Sequence, residues 1–138
     1  MAKFPSKEWV DKYKDALNND PDYRVSGKEW TAGPVSLVVL KNERIGLKDD
    51  FAIWLGIERG RCHEARVVSV EEAEKAPFVI YAEYERWRQV IEGEIDPIAG
   101  LAQGKLRLKG DLPTIVRFVK AAQDMVKAAQ NVETEFLD

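Results

Sequence analysis

The stretch of sequence that decides the fold is GEIDPIAGLAQGKLRLKGD, residues 93–111. It holds four glycines at which the backbone can turn or be approached closely: Gly93, Gly100, Gly104 and Gly110. The Asp96-Pro97 pair predicts a helix start, because proline presets φ and lacks only an N–H that a first helical turn does not use. Residues 105–109 alternate leucine with lysine and arginine, as a short strand with one solvated face does. The stretch therefore predicts a helix, a turn, a strand, a turn and a helix in direct succession.

Upstream of this stretch, the sequence predicts a leading helix and a run of strands. Ser6 is the expected N-cap of a helix that ends near Asn19, since apolar residues recur behind it at helical spacing. Residues 41–50 are expected to form a hairpin loop, and residues 71–75 a short helical connector. Residues 83–92 switch to helical spacing and predict a helix. Short β-branched or alternating segments predict strands at residues 23–30, 35–40, 51–58, 62–68 and 78–82.

Downstream, Asp111 is expected to cap one long helix from Leu112 to about Gln130, with residues 131–138 fraying as an acidic tail. The sequence has no internal repeat, low-complexity tract or linker, so we interpret residues 1–138 as a single domain. Consecutive strands flanked by helices predict an α+β fold, with a mainly antiparallel sheet covered on one face by helices.

Composition and charge narrow the range of functions. The chain has 138 residues, of which 45% are hydrophobic and 33% charged, as in a globular domain with its own core. Its net charge of −3, with both signs spread along the chain, argues against a nucleic-acid groove, which needs a basic face. The single cysteine, Cys62, excludes an intrachain disulfide and favours a reducing compartment. With no apolar run of signal-peptide or membrane-spanning length, we expect a cytoplasmic protein.

The full spacing of residues 93–111 resembles the C-terminal motif of the sterol-carrier-protein-type lipid-transfer domains. The preceding segments fit as well: a leading helix, antiparallel strands, and the strand APFVIYAE (residues 76–83) that feeds a helix ending at Gly93. The resemblance covers most of the chain. It is specific from about Ala76 to Val126 and architectural before that. The matching residues are Gly93, Asp96, Pro97, Gly100, Gly104, Lys105, Leu106, Leu108, Gly110 and Asp111, followed by an amphipathic helix.

This resemblance implies a five-stranded sheet covered by helices, with an apolar tunnel between sheet and helices. It implies non-catalytic binding, and transfer, of lipids, fatty acids, acyl chains or sterol-like molecules, without a cofactor. Two features depart from the family pattern. The chain ends Phe136-Leu137-Asp138 rather than in the small-Lys-Leu peroxisomal signal of some members, and Gly100 stands where members usually carry alanine. The first removes the argument for a peroxisome, and nothing in the sequence identifies a sterol as the ligand.

Side chains capable of catalysis do not form a recognisable set. Cys62 and His63 are adjacent, but neighbours on a strand point to opposite faces, so they cannot pair as nucleophile and base. One histidine and one cysteine leave too few soft ligands for a zinc site. Asp96 and Asp111 are assigned to helix capping, and Gly104-Lys105 lacks the spacing of a phosphate-binding loop. We therefore expect no catalytic residue and no metal site.

Three basic residues, Lys105, Arg107 and Lys109, form a row on the solvated face of the predicted strand. They are either ordinary solvated charges or a site of transient contact with an anionic lipid head group or membrane surface. The sequence leaves both interpretations open.

Large apolar residues are the candidate ligand contacts. A tunnel wall and a filled core give the same apolar pattern, and only the family resemblance favours a cavity. In this hypothesis the ligand lies between the sheet and the last helix, residues 87–101 form a lid, and Val119→Trp blocks binding. The candidate residues are Trp54, Trp87, Ile91, Ile98, Leu101, Ile115, Phe118, Val119, Ala122 and Met125.

Two functions other than a carrier remain open. One is a structural or dimerisation module with a filled core; the carrier itself can be a monomer or a homodimer. The other is an enzyme that uses the lipid pocket, for example on an acyl thioester. Such an enzyme needs a nucleophile or base at the pocket mouth, and the sequence offers no convincing set.

Overall fold

A computed structural model describes all residues from Met1 to Asp138. The first half contains β1 (Ala2–Phe4), α1 (Lys7–Asn18), α2 (Pro21–Ser26), β2 (Val35–Leu40), a 3₁₀ turn (Glu43–Ile45), β3 (Phe51–Glu58) and β4 (Arg61–Val68). The second half contains α3 (Val70–Ala73), β5 (Phe78–Glu83), α4 (Tyr84–Ile91), α5 (Pro97–Ala102), β6 (Arg107–Lys109), α6 (Leu112–Val116), α7 (Val119–Gln130) and β7 (Thr134–Phe136). None of the helices combines the length and the apolar character needed to cross a bilayer.

Five of the strands form one sheet in the order β4-β3-β2-β5-β6. Only the β2–β5 pair is parallel, and the other three pairs are antiparallel. At the centre of the sheet, Leu37 lies opposite Ile53 on one side and Ile80 on the other. The α+β fold with a mainly antiparallel five-stranded sheet is therefore confirmed.

The two faces of the sheet are covered unequally. Val35 and Val39 on β2, with Ile53 on β3, belong to the large core under α1, α2, α4 and α7. Alternate residues point the other way, where Val38 and Val79 pack with the short helix α3 in a small second core. The main helical layer thus lies on one face, as predicted, and the opposite face carries only α3.

Three predicted helix caps are confirmed. The Ser6 hydroxyl accepts a hydrogen bond from the Trp9 N–H at 3.1 Å and starts α1. The Asp96 carboxylate accepts from the Ala99 N–H at 3.0 Å and starts α5, and the Asp111 carboxylate accepts from the Thr114 N–H at 3.2 Å and starts α6. Each cap satisfies a backbone donor that a helix start leaves unpaired.

The strand predicted at residues 23–30 is wrong, because residues 21–26 form helix α2. Asp20 caps this helix by accepting from the N–H groups of Asp22 and Tyr23, and Pro21 occupies its first turn. Asp20-Pro21 is the same helix-start signal as Asp96-Pro97. In the sequence, this pair directly follows the predicted end of α1 near Asn19, and it can equally be interpreted as the signal that ends α1.

The single helix predicted from Leu112 to Gln130 is also wrong. It breaks between Val116 and Val119, where Phe118 leaves the helical region with φ −113° and ψ 39°. The Phe118 carbonyl nevertheless accepts from the Ala122 N–H at 3.0 Å, so α7 starts at once. The break changes the rotational phase of the two helices relative to each other, and this decides which side chains face the sheet.

The C-terminal residues pair rather than fray. Thr134–Phe136 form β7, which runs parallel to β1 with Lys3 opposite Glu135. The Arg88 guanidinium packs over the Phe136 ring at 4.6 Å from its centroid. The acidic composition of residues 131–138 obscured the alternation that places Phe136 against the core.

Candidate ligand cavity

A cavity of about 140 Å³ lies between the sheet and the main helical layer. Twenty-five residues line it, and 23 of them are hydrophobic. Its floor is the centre of the sheet, including Leu37, Ile53 and Ile80, and its walls come from α1, α2, α4, α5, α6 and α7. The site can therefore bury hydrocarbon, and it offers almost no polar surface to a ligand.

Eight of the ten candidate contacts line this cavity: Trp87, Ile91, Ile98, Leu101, Ile115, Phe118, Ala122 and Met125. They come from α4, α5, α6, α7 and the break between the last two. The structure thus brings together the segments that were expected to form the lid and the last helix. It shows where these residues lie, and their contact with a ligand stays a prediction.

Trp54 does not line the cavity. It lies on the opposite face of the sheet, packed against the small second core, with the Arg66 guanidinium 5.6 Å from its ring. Since side chains alternate along a strand, Trp54 must face away from Ile53 and Leu55, which belong to the large core. The choice of Trp54 rested on its size and overlooked its own strand pattern.

Val119 also lies outside the cavity, 36% exposed in the first turn of α7. An unbroken helix would place it on the same stripe as Phe118 and Ala122. The break at Phe118 turns that ring inward and leaves Val119 facing solvent. The Val119→Trp test therefore cannot block the cavity.

Sequence reasoning missed the contribution of the N-terminal part of the chain. Trp9 and Tyr13 of α1, Tyr23 of α2 and Trp30 all line the cavity. The sequence predicts the apolar stripe of α1 but does not connect it with a ligand, and the error at residues 21–26 concealed the role of Tyr23. Trp30 forms an aromatic pair with Phe118, with ring centroids 5.0 Å apart, and so joins the N-terminal segment to the break before α7.

Four of the aromatic residues that line the cavity have their polar groups hydrogen-bonded within the protein. The indole N–H groups of Trp9, Trp30 and Trp87 donate to Thr134 Oγ1, Gly33 O and Val38 O at 2.8–2.9 Å. The Tyr13 hydroxyl donates to Met125 O at 3.1 Å, and burial raises the pKa of that hydroxyl well above its usual value. These side chains therefore present their apolar surfaces to the cavity, with their hydrogen-bonding groups already satisfied.

One wall of the cavity is lightly held. Helix α5 has six residues, and Ile98 and Leu101 on it are only half-buried. A single side-chain hydrogen bond links its cap to α7, from Gln123 Nε2 to Asp96 Oδ1 at 3.2 Å. Gly100 keeps α5 close to Leu106, since a Cβ at this position would lie 3.1 Å from the Leu106 side chain. Short helices with few bonds to their neighbours are among the first parts of a fold to open.

Cys62 and His63 do not form a catalytic pair. Cys62 is buried beside α1, and His63 is exposed on the other side of β4. Burial raises the pKa of the Cys62 thiol from 9.0 to about 11, which disfavours the nucleophilic thiolate. The structure contains no group of three or more His, Cys, Asp or Glu side chains that could hold a metal ion.

We expect the Cys62 thiol to react with iodoacetamide about a hundredfold more slowly in the folded protein than in urea at neutral pH, since the pKa rises from 9.0 to about 11. The folded state also holds this proton more tightly than the unfolded state does. The thiol's contribution to the free energy of unfolding therefore falls as the pH rises from 9.0 through about 11. Mass spectrometry after timed alkylation measures the rates, and equal rates in both states would contradict the burial of this thiol.

Two of the three basic residues of the predicted row, Arg107 and Lys109, lie on the sheet face away from the cavity, and Lys105 precedes β6. The Arg107 guanidinium packs 6.0 Å from the Tyr81 ring, and Lys109 Nζ donates to Glu74 O at 3.4 Å. Tyr81 belongs to the small second core, whereas its strand neighbour Ile80 lines the cavity. A membrane contact through this row would meet the side of the molecule opposite the candidate ligand site.

A sequence model of the SCP-2 sterol transfer family matches residues 16–123. The chain belongs to this family. The family resemblance of residues 93–111 is thereby confirmed.

Solved structures give the same result. A crystal structure of sterol carrier protein 2 is 31% identical, with a TM-score of 0.85 over 94% of this chain and 99% of that chain. A conserved hypothetical protein from Thermus thermophilus, proposed to be a sterol carrier protein, is 30% identical. Its TM-score is 0.86 over 98% of this chain and 93% of that chain. The palmitated SCP2L2 from Aedes aegypti is 12% identical, with a TM-score of 0.52 over 82% of this chain and 93% of that chain, and so shares the fold alone. The comparison with curated proteins gives no match.

Proposed function

We propose that this chain is a non-catalytic carrier that binds, and transfers, the hydrocarbon part of lipids such as fatty acids, acyl chains or sterol-like molecules. The observation that carries this proposal is the cavity between the sheet and the helices, in which 23 of 25 lining residues are hydrophobic. A cavity at this position disfavours the alternative of a module with a filled core. We propose that residues 1–138 act as one unit in the cytoplasm, with no cofactor.

The cavity volume indicates that binding is accompanied by movement of a wall. A dry cavity of about 150 Å³ in another protein admits benzene, so about 140 Å³ in the present chain suits a ring or a short piece of chain. A longer hydrocarbon needs more room. The lightly held helix α5, with Ile98 and Leu101 on its inner side, is the wall that we expect to yield. This refines the lid predicted at residues 87–101, because α4 is held more firmly than α5: four of its residues are buried, and the Trp87 indole N–H also donates to β2.

Apolar burial supplies enough free energy for useful affinity. Burying roughly 300 Å² of ligand hydrocarbon at about 25 cal/mol/Å² gives about 7 kcal/mol before ordering costs. Taken alone, that gross figure would correspond to a dissociation constant of the order of 10 μM, and the ordering costs weaken the affinity from there. Since the polar groups of Trp9, Trp30 and Trp87 are satisfied within the protein, a charged head group finds few hydrogen-bond partners inside the cavity. We expect the head group to stay at the opening, with the hydrocarbon inside.

The relatives support this choice of ligand class. The structures of about 30% identity carry the sterol carrier name in full or as a proposal, and a more distant member of the fold is described with palmitate. Both ligand types present a large apolar surface and one polar end. The cavity fits the large apolar surface that sterols and fatty acids share. It does not specifically fit the sterol nucleus.

Native mass spectrometry tests this function first. The purified protein is expected to carry a co-purifying lipid or to take up one equivalent of palmitate. Three of the four tryptophans line the cavity, so a fluorescent fatty acid such as cis-parinaric acid should quench tryptophan emission by energy transfer as it binds. Excess palmitate should reverse that quenching. A chain that stays bare after incubation with fatty acids and sterols would contradict the carrier function.

A further inference from the structure

Tyr23 carries the one tyrosine hydroxyl of the chain that forms no hydrogen bond. The chain has four tyrosines, and the hydroxyls of Tyr13, Tyr81 and Tyr84 all bond to protein groups. Tyr23 forms hydrogen bonds through its backbone alone, although it is only 1% exposed. A buried tyrosine hydroxyl normally finds a partner, so the free hydroxyl of Tyr23 indicates a partner from outside the chain.

The free hydroxyl lies at the cavity. Tyr23 and Gly27 both line the cavity. A Cβ at Gly27 would lie 3.1 Å from Tyr23 Cζ, the ring carbon that carries the hydroxyl. The polar atoms that are fully enclosed without a partner are Ser26 Oγ, Ser36 Oγ and Asp124 Oδ2, and the Tyr23 oxygen is not one of them. Some free space therefore adjoins this oxygen, and the cavity that Tyr23 lines supplies it.

No other side chain in the cavity lining offers a free O–H or N–H group. The three indole N–H groups and the Tyr13 hydroxyl are bonded within the protein, and the lining contains no charged or amide side chain. Burial raises the pKa of the Tyr23 hydroxyl, so this group stays neutral and can both donate and accept a hydrogen bond. A neutral oxygen suits it better than a carboxylate, since no cation lines the cavity to offset the cost of burying a charge.

Tyr23 lies at the end of the cavity away from α5. Gly27, beside the Tyr23 ring, meets the turn between β3 and β4, since a Cβ there would lie 3.1 Å from Gly60 Cα. Helix α5 instead packs on Leu106, just before β6. The outer strands of the sheet, β4 and β6, are about 19 Å apart at about 4.8 Å for each of the steps between neighbouring strands. A ligand that enters past α5 therefore brings the leading end of its hydrocarbon towards Tyr23.

We propose that the Tyr23 hydroxyl is a specificity-determining group that favours hydrocarbons with a neutral hydroxyl or carbonyl oxygen at the end that lies deepest in the cavity. The assignment rests on the proposed carrier function and narrows its ligand class. The polar head group stays at the opening, and the second oxygen supplies the partner that Tyr23 lacks within the protein. A site that can hydrogen-bond a ligand oxygen discriminates against the analogue without it, because the buried group of the site is then left unpaired.

The test compares palmitate, α-hydroxypalmitate and ω-hydroxypalmitate as competitors of cis-parinaric acid on the whole chain. The two hydroxy acids are isomers, and only the ω-isomer carries its hydroxyl at the end away from the carboxylate. The wild type should bind ω-hydroxypalmitate within about threefold of palmitate, whereas a wholly apolar pocket disfavours an added hydroxyl by about a hundredfold. Tyr23→Phe should raise the ratio of the two dissociation constants, ω-hydroxypalmitate over palmitate, by about tenfold. The corresponding ratio for α-hydroxypalmitate should stay within about twofold of its wild-type value, because that hydroxyl lies at the opening.

Tyr13→Phe is the matched control, because Tyr13 also lines the cavity but its hydroxyl already donates to Met125 O at 3.1 Å. It should leave both ratios within about twofold of the wild type and lower the midpoint of urea unfolding, since a hydrogen bond within the protein is lost. Tyr23→Phe should not lower that midpoint, because it removes no such bond. Cholesterol and the same sterol without its hydroxyl group form a second pair of competitors, which tells a ring hydroxyl from a chain hydroxyl.

A preference for the hydroxylated ligand that depends on Tyr23 and not on Tyr13, in the acyl pair or in the sterol pair, supports the assignment. Three results would overturn it: no change of either preference in Tyr23→Phe, equal changes for the α- and ω-isomers, or an equal change in Tyr13→Phe. Each of these leaves the carrier function intact, because palmitate itself is still bound. A wild type that binds neither palmitate nor sterol would contradict the carrier function, and the role of Tyr23 with it.

Discussion

Ala122→Trp is expected to abolish fatty-acid binding while the protein stays folded. Ala122 lies on α7, lines the cavity and is half-buried. An indole at this position would occupy a space of about 140 Å³, which is close to the volume that admits a benzene ring elsewhere. We expect the affinity for cis-parinaric acid to fall by about a hundredfold or more, since the indole removes most of the apolar contact area from which affinity arises.

The cost of this substitution to stability should be modest. Adding atoms to a well-packed core costs about 1–3 kcal/mol, and here part of the added volume enters the cavity rather than the packed core. Urea unfolding followed by circular dichroism measures the change. A variant that unfolds below room temperature would leave its loss of binding uninterpretable, so Ala122→Phe, a smaller addition at the same position, is measured alongside and should show an intermediate loss.

Val119→Trp is the matched control for Ala122→Trp. It adds the same side chain to the same helix, three residues away, but on the exposed side of the break at Phe118. Binding of cis-parinaric acid in vesicle-free buffer should remain within about twofold of the wild type, because contacts outside the cavity contribute no apolar burial of the ligand. Loss of binding in Val119→Trp and its retention in Ala122→Trp would show that α7 presents the other face to the ligand.

The sequence predicted most of the architecture because its signals were local. Caps at Ser6, Asp96 and Asp111 depend on a few neighbouring residues, and each was confirmed. The alternation in residues 51–58 also predicted which side chains share a sheet face, and the two cores divide them accordingly. A local sequence pattern fails to predict the structure where the same residues are compatible with two different structures. Asp20-Pro21 both ends α1 and starts α2, and only the packing of Tyr23 into the large core decides for a helix.

The candidate site was harder to predict than the fold. A continuous apolar stripe from Leu112 to Ala129 is consistent with one helix, and nothing in the residues at 117–118 marks the break that turns Phe118 inward. At the break Phe118 packs against Trp30, a partner that is 88 residues earlier in the chain (118 − 30) and that no local pattern reveals. An empty cavity leaves no signature of its own, since lining residues and core residues have the same composition. The family resemblance supplied that part of the hypothesis.

Gly110→Ala is expected to destabilise the fold by about 3 kcal/mol, as strained backbone and a steric conflict act together. Gly110 has φ +141°, a conformation that side chains disfavour. A Cβ there would lie 2.7 Å from the Pro77 carbonyl oxygen and 2.9 Å from the Phe78 ring. Pro77 leads directly into β5, so relief requires the start of an interior strand of the sheet to move. Urea unfolding gives the free energy, and an unchanged value would mean that the turn can readjust freely.

Gly104→Ala separates strain from steric conflict. Gly104 also has a positive φ, +76°, but a Cβ there would meet nothing within 4 Å. Gly104→Ala should lower the free energy of unfolding by only about 1 kcal/mol. This is the penalty of the left-handed conformation minus the stabilisation that comes from a stiffer unfolded chain. The two variants should also differ in ligand binding. Phe78 packs against Trp30 at 5.2 Å, and Trp30 packs against Phe118 in the cavity wall. Displacement by Gly110→Ala therefore reaches the ligand site, and binding of cis-parinaric acid should weaken in this variant and stay normal in Gly104→Ala.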